Sequence, residues 1–128
     1  MKFLWKPHIL LFHQEFFQFL KTTRIEHTAA AGTAVLDGAS SKTYTILSVS
    51  ICNTHASTDE IFNMYVTTSG KGTPINIYKS QALPALSTFV HSDKIVLLAS
   101  EELWVDYASD VDDTDGVHVI VSYLDQDD

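Results

Sequence analysis

The 128-residue chain has one cysteine, three prolines and five glycines. Cys52 alone excludes an internal disulfide framework, and with it any zinc site that takes two thiolates from one chain. No basic residue follows Lys94, and sixteen Asp and Glu against eight Lys and Arg leave a formal charge of −8. That balance argues against a nucleic-acid binder, which works by neutralising phosphates. No GxGxxG, GxSxG or HExxH motif occurs, and no apolar run approaches the ~20 residues of a membrane span. What is present is a chain 45% hydrophobic and 19% charged, of a length suited to one domain with a core of its own.

The charge is unevenly placed. Residues 1–94 hold six acidic residues and all eight basic ones, whereas residues 95–128 hold ten acidic residues. Such polarity suits either docking between like subunits or a solvated acidic rim.

Residues 1–20 (MKFLWKPHILLFHQEFFQFL) carry five of the seven phenylalanines and one of the two tryptophans. Lys2 and Lys6 before an apolar stretch suggest a signal peptide. However, His13, Gln14, Glu15 and Gln18 break the run, and no small-residue cleavage site follows Leu20. Pro7 suits a first helical turn, and Ile9, Phe12, Phe16, Phe19 and Leu20 recur at helical spacing. A segment this apolar needs cover, either on its own domain or on another subunit. Two lysines and no cationic polar face make a membrane surface a poor partner. The expectation is a helical or extended arm over residues 1–22, with Phe3, Trp5, Ile9, Phe12, Phe16, Phe19 and Leu20 as partner-binding residues.

From Arg24 the period changes to two. Strands are expected near residues 24–28, 43–53, 60–68, 75–79, 88–91, 94–98, 103–107 and 117–123, separated by turns such as Ser69-Gly70-Lys71-Gly72 and Leu83-Pro84-Ala85. Thr45, Leu47, Val49 and Ile51 alternate with Tyr44, Ile46, Ser48 and Ser50, and Phe62, Met64 and Val66 share one side. Residues 94–98 (KIVLL) look like a buried strand. Without βαβ spacing, the fold class is all-β: an antiparallel β-sandwich or jelly roll over residues 23–128.

Chemistry-bearing patterns are few. Asp112, Asp113 and Asp115, ahead of Gly116, offer oxygen ligands for calcium, but the EF-hand register fails, with Val111 at the first ligand position and Ser122 at the last. An acidic hairpin loop between the last two strands is the plainer reading. The six histidines form no metal-ligand spacing. Gly70-Lys71-Gly72-Thr73 lacks the earlier glycine of a phosphate loop, Tyr65 standing in its place. Cys52 reads as a small buried hydrophobe. Trp104, Tyr65, Tyr78 and Tyr107 could serve as core packing or as stacking surfaces for sugars.

The pattern from Tyr44 to Leu124 resembles small β-sandwich virion proteins of tailed bacteriophages, marine phages especially. The resemblance rests on a strand ending in Asn (Leu47-Ser48-Val49-Ser50-Ile51-Cys52-Asn53), the Leu83-Pro84-Ala85 turn, Lys94-Ile95-Val96-Leu97, Leu103-Trp104-Val105 and a closing strand from Val117. It departs at Ser100-Glu101-Glu102, where such proteins often place Gly-Asp. What the resemblance implies is a non-enzymatic structural subunit located on the virion, for head decoration, neck or tail, present in many copies. Its partners would be other virion proteins and further copies of itself, with no nucleic acid, membrane or cofactor. Two alternatives remain open: a carbohydrate- or receptor-binding module using Trp104 and the acidic loop, with or without calcium, and a small hydrolase in which histidines and carboxylates converge.

Overall fold

The computed structural model describes residues 19–27, 32–68, 72–108 and 116–127. Among them nine strands form and no helix: β1 (Phe19–His27), β2 (Thr33–Asp37), β3 (Lys42–Asn53), β4 (Glu60–Thr68), β5 (Ile75–Leu83), β6 (Thr88–His91), β7 (Ile95–Leu97), β8 (Glu101–Tyr107) and β9 (Val117–Asp127). All pairings are antiparallel. One sheet has the order β1-β9-β3-β6, with β7 also beside β3, and the other runs β2-β8-β4-β5. β6 pairs with residues 49–52 and β7 with residues 44–46, so the two fill one edge position broken at residues 92–94. Counted as one, they leave eight strands that alternate between the sheets, except for the β4–β5 pair within one sheet, in the manner of a jelly roll. The expected all-β antiparallel sandwich is what these residues form.

The core lies between the sheets and follows from period two. β9 turns Val117, Val119 and Val121 inward, β8 turns Leu103, Val105 and Tyr107, and β4 turns Phe62 and Met64, all buried. At the open side between β5 and β6, Phe89 packs edge-on against Phe62 and Tyr78, with ring centroids 5.1 and 4.8 Å apart. Each such aliphatic or aromatic side chain contributes about 1.5–3 kcal/mol by leaving water.

Where the chain departs from strict alternation, bulges are the cause. β3 pairs with β9 in one register through Ile46 and in another from Ser48. Tyr44 and Ile46 therefore face inward before the bulge, and Val49 and Ile51 after it. β2 was not among the expected strands. A bulge between Ala34 and Leu36 lets the adjacent Val35 and Leu36 both be buried, which erases the alternation that marks a strand. β5 runs on to Leu83, past the expected residue 79, through two register shifts. Only Leu97 of the expected buried strand at 94–98 is fully buried; Val96 and Leu98 are exposed because β7 is an edge piece. β1 begins at Phe19, so its first four residues belong to the sheet and not to the segment before it. The helix expected from Pro7 lies outside the described residues. β8 and β9 belong to different sheets and so do not form the hairpin expected of the last two strands; the acidic residues between them lie outside the described residues.

Asn53 ties the layers at one end. It is fully buried at the end of β3, and its Nδ2 donates to Thr58 O at 2.8 Å and to Leu83 O, at the end of β5, at 3.1 Å. Its Oδ1 accepts the His55 N–H at 3.0 Å. Thr54 N–H and Oγ1–H both donate to Gly116 O, at 3.0 and 2.6 Å, which pins the start of β9 to the same place. Two glycines are required elsewhere by geometry: a Cβ on Gly38 would lie 2.3 Å from Leu98 O, and Gly32 has φ +72° with Val105 O 2.1 Å from any Cβ.

Replacing Asn53 by Ala strands the buried Leu83 carbonyl and removes the partner of the part-buried Thr58 carbonyl and His55 N–H. It should cost about 3 kcal/mol in urea unfolding, at the rate of 1–3 kcal/mol per abandoned polar group. A loss under about 0.5 kcal/mol would show that water replaces the amide without penalty.

Candidate functional site

The outer face of the four-stranded sheet gathers the polar chemistry of the described residues. Since β8 points Leu103, Val105 and Tyr107 inward, Glu102, Trp104 and Asp106 point out. The register with β4 places Asn63 opposite Asp106, Tyr65 opposite Trp104 and Thr67 opposite Glu102. On the other side, β2 sets Ala34 beside Trp104 and Asp37 beside Glu102. The Tyr65 and Trp104 rings lie parallel, 7° between planes with centroids 6.4 Å apart.

Asp106 is the hub. Its Oδ1 accepts from Asn63 Nδ2 at 2.7 Å and its Oδ2 from Tyr65 Oη at 3.0 Å. Asn63 Oδ1 in turn accepts the N–H of Ser80, whose φ of 53° marks the kink in β5, at 2.8 Å. Burial, together with the Asp106 carboxylate, pushes the Tyr65 hydroxyl far above the ordinary phenol range. Trp104 Nε1 donates to Glu102 Oε2 at 3.1 Å. Partial desolvation and the facing Glu102 carboxyl push Asp37 above the usual carboxylate range. The face is thus acidic, ordered by its own hydrogen bonds, and offers acceptors beside one half-buried indole.

The opposite outer face, on the five-stranded sheet, differs in kind. One cross-strand row reads Leu20, Leu124, Thr45, Val96; another reads Arg24, Ile120, Ser50, Val90; Thr22, Ser122 and Ser48 lie between them. Leu20, Val90, Val96 and Ile120 are exposed, as is the neighbouring Leu98. Arg24 is the one charged residue in these rows, and the next row places Glu26 opposite His118 and Cys52.

Of the aromatic residues weighed as sugar platforms, three are used inside the protein. Tyr107 is buried in the core, and burial raises its hydroxyl pKa. Tyr78 packs against the core and meets His91 Nδ1 through its hydroxyl at 2.8 Å. Tyr65 is only 4% exposed, which leaves Trp104 as the one ring of the four on the outer face with surface to offer. Cys52 is half-buried, not a core residue; Ile51 and Asn53 face inward, so Cys52 faces out opposite His118 and Thr88. Among the described residues no group of three or more His, Cys, Asp or Glu could hold a metal ion. Nor is any helix there long and apolar enough to cross a membrane.

Leu20 is exposed at the start of β1, while Phe3, Trp5, Ile9, Phe12 and Phe16 lie outside the described residues, as do Asp112, Asp113 and Asp115. Sequence reading did not assemble Asp37, Asn63, Glu102 and Asp106. The available signal was the polar residue at alternate positions of Glu102-Leu103-Trp104-Val105-Asp106. Part of the charge asymmetry is spent inside the chain. Lys21 of β1 and Lys42 of β3 both reach the buried carboxylate of Asp125 on β9, and Lys42 also meets Asp127 at 2.6 Å. The Lys21 hydrogen bond, seconded by Lys42, holds Asp125 below the ordinary range.

No protein-family model matches the chain, and no curated protein matches it. Solved structures share the fold. A chain from the capsid of the Helicobacter pylori bacteriophage KHP30 is 10% identical over 84% of this chain and 86% of that one, with TM-score 0.53. The Drosophila NLP core, described for pentamer formation and histone binding, is 14% identical over 86% and 100%, with TM-score 0.52. A xylan-binding domain from Paenibacillus barcinonensis is 8% identical over 84% and 80%, with TM-score 0.39. At these identities the likeness is one of fold alone: a two-sheet β-sandwich module found in proteins of differing roles.

Asp37 and Asp125 should shift stability in opposite directions with pH. A lowered folded pKa means that the Asp125 contribution is whole above the unfolded carboxylate pKa and lost as pH falls through the folded one. A raised folded pKa means that the Asp37 contribution is whole below the unfolded pKa and lost as pH rises through the folded one. Thermal melts from about pH 7 to about pH 3 should show a gentler acid-side fall in Asp125→Asn and a steeper one in Asp37→Asn. Parallel curves for the wild type and both variants would refute the assignment.

Proposed function

We propose that this protein is a non-enzymatic structural subunit of a virion, a head-decoration, neck or tail accessory protein that binds other virion proteins and further copies of itself. The observation that carries the reading is the pair of unlike outer faces. In a chain of net charge −8, one face of the sandwich is almost free of charge and studded with exposed aliphatic side chains, while acidic groups occupy the other. Contiguous apolar surface on a soluble domain marks a contact site, and the uncharged face is where acidic copies meet with least repulsion. The residue pattern from Tyr44 to Leu124 supports the same reading. So do whole-domain matches to a phage capsid chain and to a pentamer-forming core, both used in repeated assemblies.

A glycan- or receptor-binding module is the second reading. It is favoured by Trp104, which stands half-buried among Glu102, Asp106 and Asn63 on the acidic face. This arrangement suits a hydroxyl-rich ligand that stacks one ring and donates to carboxylates. Calorimetry of the intact protein against a panel of soluble glycans, with and without calcium, separates the two readings. A subunit gives no heat, whereas a binding module gives heat that Trp104→Ala abolishes.

The segment before β1 is assigned to docking, with Phe12 and Phe16 as anchors. Removal of residues 1–18 leaves all nine strands intact. It should preserve the β-sheet circular dichroism and cooperative melt while converting the associated protein to a monomer in sedimentation velocity. Association of the shortened chain equal to that of the full chain would end this assignment.

A further inference from the structure

We infer that the apolar segment preceding β1 seats on the outer face of the five-stranded sheet of a second copy, an inference that rests on the subunit reading above. Three observations converge on that occupant.

The first is where the segment ends. It enters the fold at β1, an edge strand paired only with β9, and Leu20 begins the cross-strand row that continues through Leu124 to Val96. Eighteen mainly apolar residues therefore leave the sheet at one end of a row that crosses its whole width, with exposed Val96 at the far end and exposed Leu98 beside it.

The second is the lack of a turn. Between Pro7 and Ile46 the first glycine is Gly32, and no Gly, Pro, Asn or Asp occurs from His8 to Glu26. To lie across its own sheet the chain would have to reverse near Phe19, and none of the residues that favour a tight reversal is available there. Carried onward instead, the segment has reach to spare. A sheet four strands wide measures about 15 Å across, and ten extended residues span about 33 Å.

The third is desolvation. The segment is mainly apolar, with Lys2, Lys6 and Glu15 as its charged residues. Covering the four-stranded face would strip water from Asp37, Glu102 and Asp106, whereas the two aliphatic rows of the five-stranded face carry Arg24 as their one charge, so the apolar segment is covered there at less cost. Such a contact joins different surfaces on the two copies, a head-to-tail relation that closes into a ring or runs on.

The test uses the full-length protein. A photoreactive benzoylphenylalanine is placed at Phe16 in ¹⁴N- and ¹⁵N-labelled preparations, which are mixed, concentrated and irradiated. The expected products are cross-links of mixed label from residue 16 to peptides containing Val90, Val96 or Ile120. Cross-links within one label only, or mixed-label links to another surface, overturn the inference. In parallel, Val96→Glu combined with Leu98→Glu should weaken self-association at least tenfold, as should Phe12→Ser combined with Phe16→Ser, with the melting midpoint of each unchanged. If only the Phe12 and Phe16 variant loses association, this receptor face is wrong while the subunit reading stands. If the unaltered chain does not associate at any concentration, both fall.

Discussion

The five-stranded sheet depends on β9. This last strand runs nine residues in register with β1 on one side and pairs along β3 on the other, so β1 has no neighbour until the end of the chain is in place. The pairing joins residues about a hundred positions apart, the kind of contact whose loop-closure cost makes β-rich topologies slow to form. Electrostatics reinforces it. Lys21, Lys42 and Asp125 bring the ends of β1, β3 and β9 together at one point, with the carboxylate buried and both ammonium groups half out in water. A basic front half and an acidic tail are thus partly a device for closing one domain on itself.

With its interior committed in this way, the domain has two broad surfaces for function. They are unlike because alternation sorts residues by face and bulges preserve the sorting. On β8 every outward position from 102 to 106 is polar or indole, and the register delivers Asn63 and Tyr65 to meet them. On β9 and β3 the outward positions are hydroxyls and aliphatics. The acidic face is largely satisfied by its own bonds: Asp106 serves Tyr65 and Asn63, and Asn63 serves the kink at Ser80. The other face instead exposes Leu20, Val90, Val96 and Ile120 among the described residues.

How much of this the sequence disclosed depended on how regularly each strand alternates. β4, β8 and β9 lie within two residues of their expected starts because their apolar residues recur at every second position, and β3 and β6 do so as β-branched and aromatic runs bounded by turns. β2 escaped notice because its bulge buries Val35 and Leu36 side by side. The break of β3 at Leu47 was equally hidden: both phases of Tyr44 to Ile51 hold apolar residues, and only the pairing with β9 decides which phase faces inward. Asn53 was visible as a strand terminator, but its amide bridges to Thr58 and Leu83 become visible only once β3 and β5 are brought together. The acidic face was unreadable for the same reason. Asp37, Asn63 and Asp106 are separated by tens of residues and meet only through strand order.

The edges of the sandwich decide on which side assembly is open. A strand edge with free N–H and C=O groups invites another strand, and proteins blunt such edges with bulges, breaks and charge. Here β2 carries a bulge, β5 two register shifts and a left-handed residue at Ser80, and the β6–β7 edge is broken at residues 92–94. β1 has neither bulge nor break, and its nine residues pair with β9 without a shift; its charge is that of Lys21, Arg24 and Glu26. Three edges are therefore irregular and one is regular. The regular one borders the face of exposed aliphatic residues, and it is the strand that the apolar segment precedes in sequence. Lys21 does not guard that edge, since its ammonium group turns to Asp125. Arg24 and Glu26 are the charged residues that the described β1 places at outward register positions, so any strand added at this edge would meet one charge of each sign.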